Sequence, residues 1–307
     1  VISQSLSNIS IMSPRSILEN ILGAKDFTDT WSNIDRLSYL QSEVKDRIHE
    51  LQSIKTSLEQ NKKKTETKKI ELVKLEQELK SQKQIIADTV NEQNNILKAT
   101  KNTEANYKKI VSAKQSQKEA FERELAEYES ALKIAIDPSK IPHTGTGVLS
   151  APLQKLKITQ YFGNTPFATK NPQVYNGKGH TGVDFAASIG TPVYSALSGT
   201  VIGVANTDLA PRCYSYGKWI MVKHSNGLST LYAHLSLQSV KVGDEVDTGQ
   251  LLGYSGNTGY STGPHLHFGV YASQGVKVTY LPGSANCRNV LMPLADPKAY
   301  LNPLSFL

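Results

Sequence analysis

From Leu37 the apolar residues fall at Leu37, Leu40, Val44, Ile48, Leu51, Ile54 and Leu58, three and four positions apart. That spacing puts them on one narrow stripe of an α-helix, the width a coiled-coil seam uses. The stripe resumes at Leu72, Leu75, Leu79, Ile86, Val90 and Leu97, and again at Ile110, Phe121, Leu125, Tyr128 and Leu132. No Gly or Pro occurs between Ala24 and Asp137, where Lys, Glu, Gln, Leu, Ile and Ala dominate, so the pattern predicts long helices. The polar insert NKKKTETKK at 61–69 interrupts the stripe and is expected to mark a weak or splayed stretch. One helix cannot bury such a stripe alone. Its partner is an upstream segment folding back, a second copy of the chain or another protein. The favoured expectation is an upstream arm, with Ser13 as N-cap and Gly23 as stop of a short helix at the hairpin turn.

Pro138 ends the helical grammar, and residues 137–150 are rich in Pro, Gly, Ser and Thr, as a linker is. Beyond it, short runs such as TPVYSALSGTVIGVA, KWIMVKHSNGLSTLYAHL and LHFGVYA alternate with turn residues, and SNG at 225–227 signals a hairpin. The expected fold class is therefore α + β in separate domains: long coiled-coil helices over residues 1–136, lacking an upstream helix, a linker at 137–150, and an antiparallel all-β domain over 151–307.

The 34 Lys and Arg against 27 Asp and Glu give a net charge of +7. Residues 1–137 hold 22 basic and 21 acidic side chains, which leaves 34 − 22 = 12 and 27 − 21 = 6, net +6, for the β half. An anionic partner suits that half. No basic helix or aromatic-interleaved motif occurs there, so nucleic acid is not expected. No run of 18 apolar residues occurs, so no transmembrane segment is expected in the chain, and its first residues do not read as an intact signal peptide.

The chemistry gathers in the β half. GPHLHFGV places His265 and His267 on one face of a strand, because side chains alternate with period 2. His180 and Asp184 stand as H-x-x-x-D, and His234 stands in TLYAHLS. Four histidines and a carboxylate meet the needs of a catalytic zinc site: three N/O ligands, an open position, and further groups that move protons. Without nearby Cys, a closed structural zinc is disfavoured, and imidazoles suit Zn²⁺ better than Ca²⁺ or Mg²⁺. Unligated imidazoles would accept a proton from water or donate to an oxyanion, which is the chemistry of amide hydrolysis.

The segments ITQYFG, HTGVD, GTPV, SGTV, NGLSTLYAHL and VGDEVDTGQLLGYSGNTGYSTGPHLHFGV resemble, in order and spacing, the M23 (LytM or lysostaphin-type) peptidases over about residues 150–302. The resemblance implies a zinc-dependent endopeptidase of bacterial peptidoglycan, with His180, Asp184 and His267 as metal ligands and His234 and His265 as catalytic histidines. The helical half resembles the N-terminal part of EnvC-like murein hydrolase activators. Together these imply an extracytoplasmic bacterial protein that remodels the wall or separates daughter cells, positioned or restrained by its coiled coil, with a divisome or membrane-complex partner. The alternative is a non-catalytic scaffold that activates a wall amidase; the five intact positions favour the enzyme. Export would also pair Cys213 with Cys287 across two loop-like segments. His224 reads as a turn residue, His49 and His143 as solvated, Asn164 as a turn residue that approaches the metal in some latent relatives, and Tyr175 as a groove-wall aromatic. The glycines of GYSGNTGYSTG are expected to shape a turn beside the site.

Overall fold

The computed structural model describes residues 27–100, 103–170, 179–210 and 212–307. The short helix expected at Ser13–Gly23 and the groove aromatic Tyr175 lie outside these residues. Helix α1 spans Phe27–Thr100 and α2 spans Glu104–Ala131. The NKKKTETKK segment does not interrupt α1. Lys and Glu are good helix formers and the insert contains no Gly or Pro, so losing apolar positions weakens the stripe but not the helix. The helical run instead restarts at Thr103, whose side chain accepts from the Asn106 N–H at 3.4 Å as the N-cap of α2. The α1 stripe is exposed: Leu51 and Leu58 keep 65% and 67% of their surface in solvent.

Compact packing divides the chain at Gln77–Glu78. In the C-terminal unit, the end of α1 and all of α2 belong with the β strands. Gln82 donates to the Gly190 carbonyl at 3.1 Å. The seam expected to run on to Leu132 is not one here, because Phe121 and Leu125 pack on the β domain with Leu281, Met292 and the Cys213–Cys287 disulfide. That disulfide is the pairing expected from export.

Strands β1 (Ile158–Gln160), β2 (Val183–Ala186), β3 (Pro192–Tyr194), β4 (Gly199–Asn206), β5 (Lys218–His224), β6 (Leu228–Gln238), β7 (Glu245–Val246), β8 (Leu251–Ser255) and β9 (His265–Ala272) join β12 (Tyr300–Leu301) in one antiparallel ten-stranded sheet. Its central order is β1-β2-β9-β6-β5-β4-β7. Strands β10 (Val276–Tyr280) and β11 (Leu291–Ala295) form a separate hairpin. Leu266, Phe268 and Val270 of β9 enter one core with Phe185, Ile220 and Tyr232. Period-2 alternation then turns His265, His267, Gly269 and Tyr271 to the opposite face.

Candidate metal and catalytic site

Strand pairing assembles the site. On β2 and β9, Asp184 lies directly opposite His267 and Ala186 opposite His265, so the carboxylate meets the two imidazoles of the H-x-H pair. His180 enters through an isolated bridge to Gly163. His267 Nδ1 lies 2.9 Å from Asp184 Oδ1 and 3.1 Å from His180 Nε2, and His180 Nε2 lies 3.2 Å from the same carboxylate oxygen. Among the described residues these three form a group able to hold a metal ion, and all are buried. The His180 Nδ1–H donates to the Tyr161 carbonyl at 3.0 Å, which leaves its Nε2 lone pair for ligation. The donor set fits zinc: two imidazole nitrogens and one carboxylate oxygen converge with no thiolate. Burial alone would raise the Asp184 pKa, but hydrogen bonds from His180 and His267 outweigh it and hold the carboxyl well below the usual range. Gly182 permits the close approach, since a Cβ there would lie 2.7 Å from His267 Cε1.

The two histidines read as catalytic face the same place. His265 Nε2 is 3.8 Å from Asp184 Oδ1, and its Nδ1–H donates to the Gly263 carbonyl at 2.8 Å. His234 sits where β6 carries one more residue than β5: Lys218 pairs with Leu235 and Ile220 with Tyr232. At this bulge His234 takes φ +59°, an uncommon conformation for a residue with a Cβ and one found at re-aimed functional side chains. Its Nδ1–H donates to Thr258 O at 2.8 Å, and its ring lies 4.6 Å from that of His265. Burial, then the neighbouring His265 and His267, push the His234 pKa well down and keep the ring neutral.

All five residues open on one cleft of about 610 Å³. The GYSGNTGYSTG loop does shape the turn beside it, supplying the Thr258 and Gly263 carbonyls that orient both histidines. Asn164 is exposed and is not one of the clustered ligands. His224 is not a turn residue but the buried end of β5, bound to the Ser198 carbonyl at 3.0 Å and to Thr230 Oγ1 at 2.8 Å. His49 and His143 are exposed, as expected.

Sequence reasoning missed the opposite wall. Lys118, Glu122, Leu125, Ala126 and Glu129 of α2 line the cleft with Tyr216 and Tyr300. The Tyr216 ring lies 5.9 Å from that of His267. Nothing in a helical run of charged residues distinguishes a buried glutamate from a solvated one; only the apolar neighbours Phe121 and Leu125 hinted at a packed face.

The cleft thus holds a His-Asp-His group able to bind a metal ion with two further imidazoles beside it, and comparisons with known proteins bear on its class. Residues 178–279 match the model of Peptidase family M23. The chain is 46% identical over 89 residues to the peptidoglycan DD-endopeptidase ShyA of Vibrio cholerae, covering 29% of this chain and 19% of that one. It is 45% identical over 98 residues to lysostaphin of Staphylococcus simulans, covering 32% and 19%. Against the solved catalytic domain of lysostaphin the identity is 38%, over 38% of this chain and 81% of that one, with a TM-score of 0.32. On the family-model match, residues 178–279 form a Peptidase M23 domain of the LytM/lysostaphin type. The chain spans between 19% and 33% of the length of these and other curated relatives it matches.

Proposed function

We propose that this protein is a zinc-dependent endopeptidase that hydrolyses peptide bonds in bacterial peptidoglycan outside the cytoplasm, and that its helical arm restrains it. The observation that carries the reading is the convergence of His180 Nε2, Asp184 Oδ1 and His267 Nδ1 beside two carbonyl-oriented histidines in one cleft. Relatives named as peptidoglycan and glycyl-glycine endopeptidases supply the substrate class.

His180, Asp184 and His267 would hold the zinc, which when bound supplies Lewis acidity and a nucleophilic water at neutral pH. The chain's own residues do the rest. His234, held neutral, accepts the proton of the attacking water at Nε2 while Thr258 O fixes its tautomer. His265 Nε2 accepts a hydrogen bond from the same water and orients it. The proton taken up by His234 then passes from its Nε2 to the leaving amine as the C–N bond breaks, which returns His234 to its neutral state. Gly263 O holds its ring in place. The docked α2 wall restricts access to this cleft, which is how the arm restrains the enzyme.

The test is zinc content and hydrolysis together. The full chain should carry about one zinc per molecule and release soluble fragments with new amino termini from purified peptidoglycan, and Asp184→Asn should lose both. Zinc binding without fragments on walls of several peptide chemistries, even after α2 is loosened, would favour the amidase-activating scaffold.

A further inference from the structure

Glu129 is 4% exposed, an unusual burial for a carboxylate on a helix otherwise rich in solvated charge. It meets donors carried by the β domain: the Tyr300 hydroxyl at 2.6 Å and the Ala295 backbone N–H at 3.2 Å. Burying a carboxylate is costly unless donors of this kind await it. The adjacent Tyr271 and Tyr216 are themselves buried, and Tyr300 is partly buried. Burial, and the charge of Glu129 with it, push their hydroxyls to higher pKa, so they remain protonated donors at neutral pH. Glu129, Tyr216 and Tyr300 line the same cleft as His267. Tyr300 pairs with Tyr271 on β9, four residues along the strand from His267, or roughly 13 Å. Glu129 and the Tyr300 hydroxyl it binds thus line the cleft at a distance from the metal group that an extended peptide of about four residues would span.

We propose that Tyr300 Oη and Ala295 N form a subsite for a free carboxylate of the peptide substrate, and that Glu129 occupies it as an internal mimic when α2 is docked. The inference rests on the peptidase reading of the cleft and adds a substrate requirement to it: a carboxylate borne some four residues, or one long side chain and fewer residues, from the bond that is cut. It also gives the arm a chemical basis, since substrate carboxylate and Glu129 compete for the same donors.

The test reads binding with the metal stripped by chelation, so its outcome is independent of hydrolysis. The full-length Glu129→Ala protein is titrated against purified peptidoglycan and against the same material with its free carboxyls converted to carboxamides. Glu129→Ala should prefer the untreated polymer about tenfold or more, the scale of a hydrogen bond to a charged group. Wild type should show little preference, and Glu129→Ala/Tyr300→Phe should lose it. Equal binding of the two polymers by Glu129→Ala would overturn the proposal. A preference that persists in the double variant would also overturn it, since that would assign discrimination to the general positive charge of the domain. Retention of the fold is read from the buried Trp219, and Glu129→Gln carries the same comparison if the alanine variant loses it. An active hydrolase without this preference sinks the subsite alone; an inactive chain with it leaves the subsite standing.

Discussion

Phe121 is the side chain by which α2 is most firmly seated. It is fully buried, and its neighbours Leu281, Val290, Met292, Leu294 and the Cys213–Cys287 disulfide all belong to the β domain. Phe121→Ala removes a ring from that interface without touching the metal group. Truncation of a buried Phe costs about 3–5 kcal/mol. Because the lost contacts join arm to β domain, that cost falls on the docked state, which at about 1.4 kcal/mol per decade is a shift of roughly 10²- to 10⁴-fold toward the undocked arm. The polar contacts Glu124 to Ser284 at 2.6 Å and to Asn286 at 2.7 Å remain, so docking weakens rather than vanishes. Hydrogen exchange measured on peptides covering 115–131 should accelerate by about a hundredfold or more, while β6 and β9 stay protected. Unchanged exchange in α2 would refute the claim that Phe121 anchors it. Equal loss of protection in β6 and β9 would show the arm to be part of one cooperative core and not a restraint that can leave.

Three further outcomes follow from the same contacts. Zinc at a hundred times its dissociation constant should stabilise the folded protein by about 2.7 kcal/mol in thermal unfolding, and Asp184→Asn should abolish that gain. Replacing both cysteines by serine opens a cross-link spanning 74 residues, which should cost about 4 kcal/mol in a urea titration under oxidising conditions. Burial holds the pKa of His224 below that of an ordinary imidazole, and the hydrogen bond to the Ser198 carbonyl only partly offsets it. The unfolded chain therefore binds the extra proton first, so its contribution to stability is present above about pH 6.5 and is lost as the pH falls below it. His224→Gln should flatten the stability profile between pH 7 and 5, and an unchanged slope would contradict the burial argument.

The site was legible because its grammar is local. H-x-H on a strand and H-x-x-x-D across a turn fix which side chains share a face, and β2–β9 pairing then brings Asp184 opposite His267. The division into helices and antiparallel strands was legible for the same reason, since periods of 3.6 and 2 are written in the residues themselves. What stayed hidden is tertiary. Thr258 O and Gly263 O act through backbone carbonyls, which any residue would carry, and the bulge that gives His234 its φ of +59° depends on the register between β5 and β6. Phe121 and Leu125 continue a helical stripe whether they meet another helix or a β domain, so a seam and a docking face are indistinguishable until the partner is placed. His224 misled because a histidine just before a hairpin turn reads as polar surface, whereas two acceptors, Ser198 O and Thr230 Oγ1, make its burial tolerable.

The most direct test of the central claim compares zinc-loaded Phe121→Ala with Phe121→Ala/His265→Ala, both as full chains, on purified peptidoglycan, with released fragments identified by mass spectrometry. The account predicts peptide-bond cleavage products from the first and a loss of about 10²- to 10⁴-fold in the second, with zinc content equal in both. No cleavage by Phe121→Ala, or undiminished cleavage after His265 is removed, would contradict it.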